Sequence, residues 1–217
     1  MNTIPQTKFI HPNFKAVKVA ETSTVIGRMQ NHIDIYKLGN EDKNFLQKLA
    51  IKTNFKDLMP ELPETASTRW QEILYYCITS AFDKKNTTYI AMNNNKPCGI
   101  MTYYSKASSL FLDGICTIPS RNKKIPYTGQ SLFLELFKIA EAAKAKSIQL
   151  DAVQNGPFDV VSKYEELGFK KDPTSTPYTR MVCSKYKIKE QLKELSSIIS
   201  YIKSNSSEKI NLEHTLD

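Results

Sequence analysis

The stretch KIPYTGQSLFLELFKIA, Lys124 to Ala140, runs from a loop into an amphipathic helix and carries a single glycine, Gly129. The first N–H groups of a helix lack intrahelical acceptors, and the helix dipole adds positive potential there, so an anion such as a phosphate can bind them. On that reading the N–H groups of Tyr127, Thr128, Gly129, Gln130 and Ser131 face a phosphate-bearing ligand, while Arg121, Lys123 and Lys124 supply positive charge nearby. Glycine permits close approach and positive φ without being the donor itself. The alternative is a plain helix start capped by Thr128, with RNKK as a solvated charge run.

Other reactive residue types point to less. Cys77, Cys98, Cys116 and Cys183 are far apart and form no CxxC pair, which argues against a zinc site or a compact disulfide framework. Cys116, in the apolar run ICTI, reads as core. His11, His32 and His214 form no ligand cluster, so no metal site is expected. Asp113-Gly114 is a turn or bulge signature, and Asn155 in QNGP reads as a turn residue.

The elements that must position these residues follow from period. Phe14 to Val19 and His32 to Leu38 alternate like strands, and Phe45, Leu46, Leu49 and Ala50 mark a helix. A second helix is expected over Ser67 to Phe82, where Trp70, Ile73, Leu74, Cys77, Ile78 and Ala81 form one stripe. Strands follow at Thr87 to Met92, Cys98 to Tyr104 and Leu110 to Ile118, then a helix from Thr128 to about Ala145. Ser147 to Val153 reads as a strand, the residues from Pro157 to Leu167 as a short helix, and Tyr178 to Ser184 as a last strand. This order predicts an α/β or α+β fold. The segment KYKIKEQLKELSSIISYIKS predicts a helix with Ile188, Leu192, Leu195, Ile199 and Ile202 on one side, which docks on the core, faces a second copy in a homodimer, or faces a membrane. The tail after it is polar and expected to fray.

The chain has 217 residues, 41% of them apolar, enough for one sizeable core. A net charge of +8 favours anionic partners, although no nucleic-acid-binding motif is present and nucleic acid is not expected as the main partner. No apolar run has signal-peptide length or approaches the roughly 20 residues of a membrane span, so a soluble cytoplasmic protein is expected.

The order of elements, the strand-loop-helix around Gly129 and the run KYEELGFK, Lys163 to Lys170, resemble the GNAT superfamily of N-acetyltransferases. Tyr164, Glu165, Gly168 and Phe169 match a Tyr-Glu-x-x-Gly-Phe pattern that closes the acetyl-coenzyme A site in that family. The resemblance covers Ile33 to Ser184 and implies a mixed, mostly antiparallel sheet of about six or seven strands flanked by helices, with an extra C-terminal helix. Residues 1–31 would then be an N-terminal arm, 32–184 the acyltransferase domain, and 185–217 the C-terminal amphipathic helix and tail. The family's phosphate loop carries Arg or Gln, two residues, Gly, one residue, then Gly or Ala. Aligning Gly129 with the last position puts Lys124 at the first and Tyr127 where the first glycine is expected, in a loop from Pro119 about two residues longer than usual.

The resemblance implies direct transfer of an acetyl group from acetyl-coenzyme A to an amine-bearing acceptor. A lysine-like ammonium of pKa about 10.4 is neutral about once in 2,500 molecules at pH 7, equivalent to roughly 4.6 kcal/mol, so a base is useful. Asp113 lies on the strand where such members often carry that carboxylate; Asp151 and Glu72 are weaker candidates. The developing oxyanion would take a donor from the backbone of Ile115, Cys116 and Thr117. Tyr164 stands where the family often places the general acid for the departing thiolate. Asn155 precedes Tyr164 by nine residues, further than the family's cofactor-contacting asparagine. The rival to an enzyme is a non-catalytic module that keeps this fold for binding or regulation.

Overall fold

Alternation of side chains along the strands sets the sheet. The structure, a computed structural model, describes residues 16–120, 123–153, 159–175, 179–205, 209–210 and 212–216. Strands β1 (Ala16–Ile26) and β2 (Met29–Lys37) form an antiparallel hairpin whose turn places Gly27 at positive φ. A 3-10 turn at Asn40–Asp42 leads into helices α1 (Lys43–Lys52), α2 (Phe55–Leu58) and α3 (Glu64–Ala81). Strands β3 (Thr87–Asn93) and β4 (Lys96–Lys106) are joined through Asn94 and Asn95, at φ 49° and 60°. Two left-handed residues match the twist of a tight hairpin, and asparagine tolerates that conformation better than most residues.

Strand β5 (Ser109–Thr117) is antiparallel to β4, and helix α4 (Thr128–Ala142) crosses back so that β6 (Ser147–Ala152) lies parallel to β5. Helix α5 (Val160–Glu166), strands β7 (Lys170–Lys171) and β8 (Thr179–Ser184), helix α6 (Lys185–Ile198) and strands β9 (Ser200–Lys203) and β10 (Lys209–Ile210) complete the chain. Among the described residues the sheet has ten strands and runs β10-β1-β2-β3-β4-β5-β6-β8-β7, with β9 also paired to β1. One face packs on α1 to α3 through Phe45, Leu49, Leu74, Ile90 and Ile100, and the other on α4 and α6 through Met101, Leu132, Phe137, Ile148 and Leu192.

The mixed α+β architecture is the expected one, with more strands than expected. Residues 16–26, within the segment read as an arm, are β1; its buried positions are Ala16, Ala20, Thr22 and Thr24, small or polar side chains that give little hydropathic contrast. The C-terminal helix stops at Ile198, because Ile199 turns extended at φ −111° and ψ 115°, and Tyr201 and Ile202 belong to β9. Helix α6 itself docks on α4. Among the described residues no helix is long and apolar enough to cross a membrane.

Candidate active site

The site begins where two strands part. Strands β5 and β6 pair from Ser109↔Ser147 to Leu112↔Leu150 and no further, whereas β5 stays on β4 up to Gly99↔Thr117. At the parting point Thr102 faces Gly114 and Tyr103 faces Leu112, so Asp113 is the extra residue of a bulge that re-aims its side chain. Gly114 is required there: a Cβ would lie 2.8 Å from Cys77 Sγ on α3. The result is a cleft of about 1600 Å³ bounded by α3, β5, the end of β6, the 124–127 loop, the first turn of α4, α5 and α6.

Tyr127 is the N-cap of α4 and takes the left-handed conformation, φ 61° and ψ 9°, at the position where glycine was expected. Its carbonyl receives the Ser131 N–H at 2.8 Å, and no side chain caps the helix. Among the described residues nothing accepts from the N–H groups of Thr128, Gly129 or Gln130, and all three residues line the cleft. The Thr128 hydroxyl donates instead to the Ile125 carbonyl at 3.0 Å, so the threonine cap does not form. The loop is fixed from outside by Asn31, whose Nδ2 donates to the Pro126 carbonyl at 2.9 Å. Lys124 lines the cleft and Lys123 is exposed beside it. Arg121 and Asn155 lie outside the described residues.

One expected cofactor contact, Ser131, is corrected, and Cys116 takes the core placement expected of it. Ser131 is fully buried, its N–H consumed by the helix and its hydroxyl accepting from Thr22 Oγ1 of β1 at 2.9 Å. Cys116 points away from the cleft into the α3-side core, where burial pushes its thiol well above the ordinary range; its neighbours Ile115 and Thr117, on the alternate face of the strand, line the cleft.

The run YEELGF forms a helix stop. Phe169 N–H donates to the Tyr164 carbonyl at 3.0 Å and Gly168 N–H to the Glu165 carbonyl at 2.9 Å, with Gly168 at φ +81°. This double bond pattern is a Schellman motif, and its usual apolar contact is the edge-on pair Tyr164–Phe169, 6.0 Å between centroids. Phe133 of α4 meets Tyr164 at the same separation. The motif therefore places the tyrosine ring in the cleft wall. Burial pushes the Tyr164 phenol up, and among the described residues its hydroxyl has no hydrogen-bond partner.

Asp113 accepts from Tyr76 Oη at 3.2 Å and from Asn86 Nδ2 at 2.8 Å. Asp151 is committed elsewhere, gripped by the Arg180 fork with both contacts at 2.9 Å, and Glu72 pairs with Arg69 at 2.6 Å. Sequence reasoning did not single out Tyr76, Asn86 or the α6 residues Leu195 and Ile198 as part of the site. The three-residue spacing Trp70, Ile73, Tyr76 signals the first; nothing local signals the others. Among the described residues no group of three or more His, Cys, Asp or Glu could hold a metal ion.

No family model and no curated protein matches the sequence. Among solved structures, the chain is similar to apo FdhC, described as a nucleotide-linked sugar GNAT, at 13% identity and TM-score 0.52 over 86% of this chain and 97% of that one. Further similarities are to the PaiA N-acetyltransferase of Thermoplasma acidophilum in complex with coenzyme A (19% identity, 70% of this chain and 98% of that one, TM-score 0.49) and to the aminoglycoside acetyltransferase AAC(6')-Ib in complex with coenzyme A and kanamycin (18%, 73% and 98%, 0.49). The FdhC superposition, together with the parted strands and the α4 turn, defines the fold as a GNAT fold.

Proposed function

We propose that the protein is an N-acetyltransferase that uses acetyl-coenzyme A and acts on a primary amine. The observation that carries this reading is the set of N–H groups of Thr128, Gly129 and Gln130, which have no acceptor among the described residues and belong to residues that line the cleft. A diphosphate suits them: the helix dipole adds positive potential at these donors, and a charged acceptor makes hydrogen bonds about twice as strong as a neutral one. Gly129 fits the same ligand, since a Cβ there would touch only Thr117 Cγ2 at 3.7 Å, so protein packing does not demand glycine and the space is left to the ligand.

The thioester would supply an acyl carbon and a thiolate leaving group. Asp113 would receive the proton of the incoming ammonium, directly or through water, while the backbone between Ile115 and Thr117 would donate to the developing oxyanion. Tyr164 would give its phenolic proton to the departing sulfur as the C–S bond breaks, and the extra proton left on the newly bonded nitrogen would refill the phenolate, directly or through water. Burial keeps its phenol protonated at neutral pH, and the same dry surroundings make a thiolate more basic, so the transfer remains matched.

The test is release of coenzyme A thiol from acetyl-coenzyme A across a panel of primary amines. Tyr164→Phe and Asp113→Asn should each lower turnover by about 10²–10⁴-fold. Wild-type rates in both variants would remove these roles, and calorimetry showing no heat with coenzyme A would remove the transferase reading. Binding without turnover on any amine would favour the non-catalytic module.

A further inference from the structure

Asp113 is held in an unusual way for an acid in this cleft. Both of its oxygens are engaged, yet by neutral donors: the Tyr76 hydroxyl from α3 and the Asn86 amide from the turn after it. Asn86 is itself anchored, because Nδ2 also donates to the Ser80 carbonyl at 2.8 Å and its own N–H bonds the Asp83 carbonyl at 3.0 Å. The nearby cations are paired elsewhere: Arg69 with Glu72, and Lys85 with Asp83 at 3.1 Å, its ammonium 4.9 Å from the Tyr104 ring and attracted to Asp113 only at longer range. A carboxylate offers about four lone-pair directions, so two donors fix its plane and leave two directions for a ligand. The bulge turns those toward the cleft, where Asp113 and the half-exposed Tyr76 both form part of the wall.

We propose that Tyr76 and Asn86 are positioning residues, which lock the Asp113 carboxylate in one orientation and leave it without a directly paired cation until a cationic amine arrives. This rests on the transferase reading of the cleft and adds how the acceptor is recognised. Burial raises the Tyr76 phenol, with the Asp113 charge adding to the effect, so the hydroxyl remains a donor through neutral pH. Two neutral donors orient the acid without cancelling its charge, as a lysine or arginine in their place would.

Benzylammonium chloride, with benzyl alcohol as the uncharged control, tests this by ligand-observed NMR on the 217-residue chain with and without coenzyme A. Wild type should bind the ammonium at least about tenfold more tightly than the alcohol, and Asp113→Asn should abolish that preference. Tyr76→Phe and Asn86→Ala should each reduce the preference about threefold while leaving the alcohol's affinity unchanged, a split that a merely structural role would not produce. No ammonium preference in wild type, or a change below about twofold in both positioning variants, overturns the proposal. Should Asn86→Ala unfold, Tyr76→Phe decides alone. Coenzyme A failing to bind while the ammonium preference persists would count against the transferase and leave the carboxylate clamp standing.

Discussion

Tyr127 offers a clean measurement of what the left-handed start of α4 costs. It is not glycine, yet it sits at φ 61° and ψ 9° at the N-cap of α4. An L-residue in that region is disfavoured by about 1–2 kcal/mol. Replacing the residue by glycine removes this penalty but adds about 0.5–1 kcal/mol of unfolded-chain entropy relative to alanine. Tyr127→Gly and Tyr127→Ala both lose the half-buried ring, so comparing the two cancels the packing loss. The glycine variant should be the more stable by about 0.5–1 kcal/mol, or about 1–4 °C in Tm for a chain of this size. Urea unfolding with matched m-values measures the difference. An alanine variant as stable as the glycine variant would show that the left-handed turn is not imposed in solution. A second reading comes from coenzyme A titration: backbone donors survive both substitutions, so Tyr127→Gly should keep affinity within about threefold of wild type. Equal and complete loss in both variants would shift the binding from the amides to the ring.

Three other outcomes are expected. Gly114→Ala, whose Cβ meets the buried Cys77 sulfur at 2.8 Å, should destabilise by about 1–3 kcal/mol, and adding Cys77→Ala should recover part of that loss in a double-mutant cycle. Gly129→Ala should stabilise the unliganded protein by about 0.5–1 kcal/mol, whereas Gly129→Val should weaken coenzyme A binding without lowering Tm, which calorimetry and thermal unfolding separate. Glu135 on α4 is only 6% exposed and accepts from Tyr201 Oη of β9 at 2.6 Å; burial raises its pKa from the ordinary 4.5, opposed by that hydrogen bond and by Lys138 and Lys203. The folded protein therefore keeps this proton to higher pH than the unfolded chain. Its contribution is full below about 4.5 and declines as pH rises through the folded value. Tm against pH should fall less steeply for Glu135→Gln than for wild type over that window, and parallel curves would refute the assignment.

Long, strongly periodic elements were legible in the sequence. The Trp70, Leu74, Cys77, Ile78 stripe and the Leu132, Leu136, Ala140 stripe lie on helices that the structure places within a few residues of the expected bounds. Strands β7, β9 and β10, of two to four residues, are too short to show a period, and they exist because a neighbouring strand offers them partners. At the site, the start of α4 near Thr128 and the YEELGF stop could be read because local backbone chemistry fixes them. The Asp113 clamp could not: Tyr76 and Asn86 stand 37 and 27 residues away along the chain and meet it only through the packing of α3 on the bulge. Ser131 looked like a ligand contact because helix position alone does not say which way a serine faces; Thr22, from 109 residues earlier, decides that.

The pairing of β1 has a consequence for the chain's synthesis. Ala16 stands opposite Ile210, and Ala20 to Ser23 opposite Lys203 to Ser200, so β1 finds its second neighbour far along the chain, long after β2 has been made. Closing so long a loop delays those contacts relative to the local hairpins. Until residues 200–210 are made, one side of β1 remains an open edge, and a nascent chain stalled before residue 200 would present that edge to other chains or to chaperones.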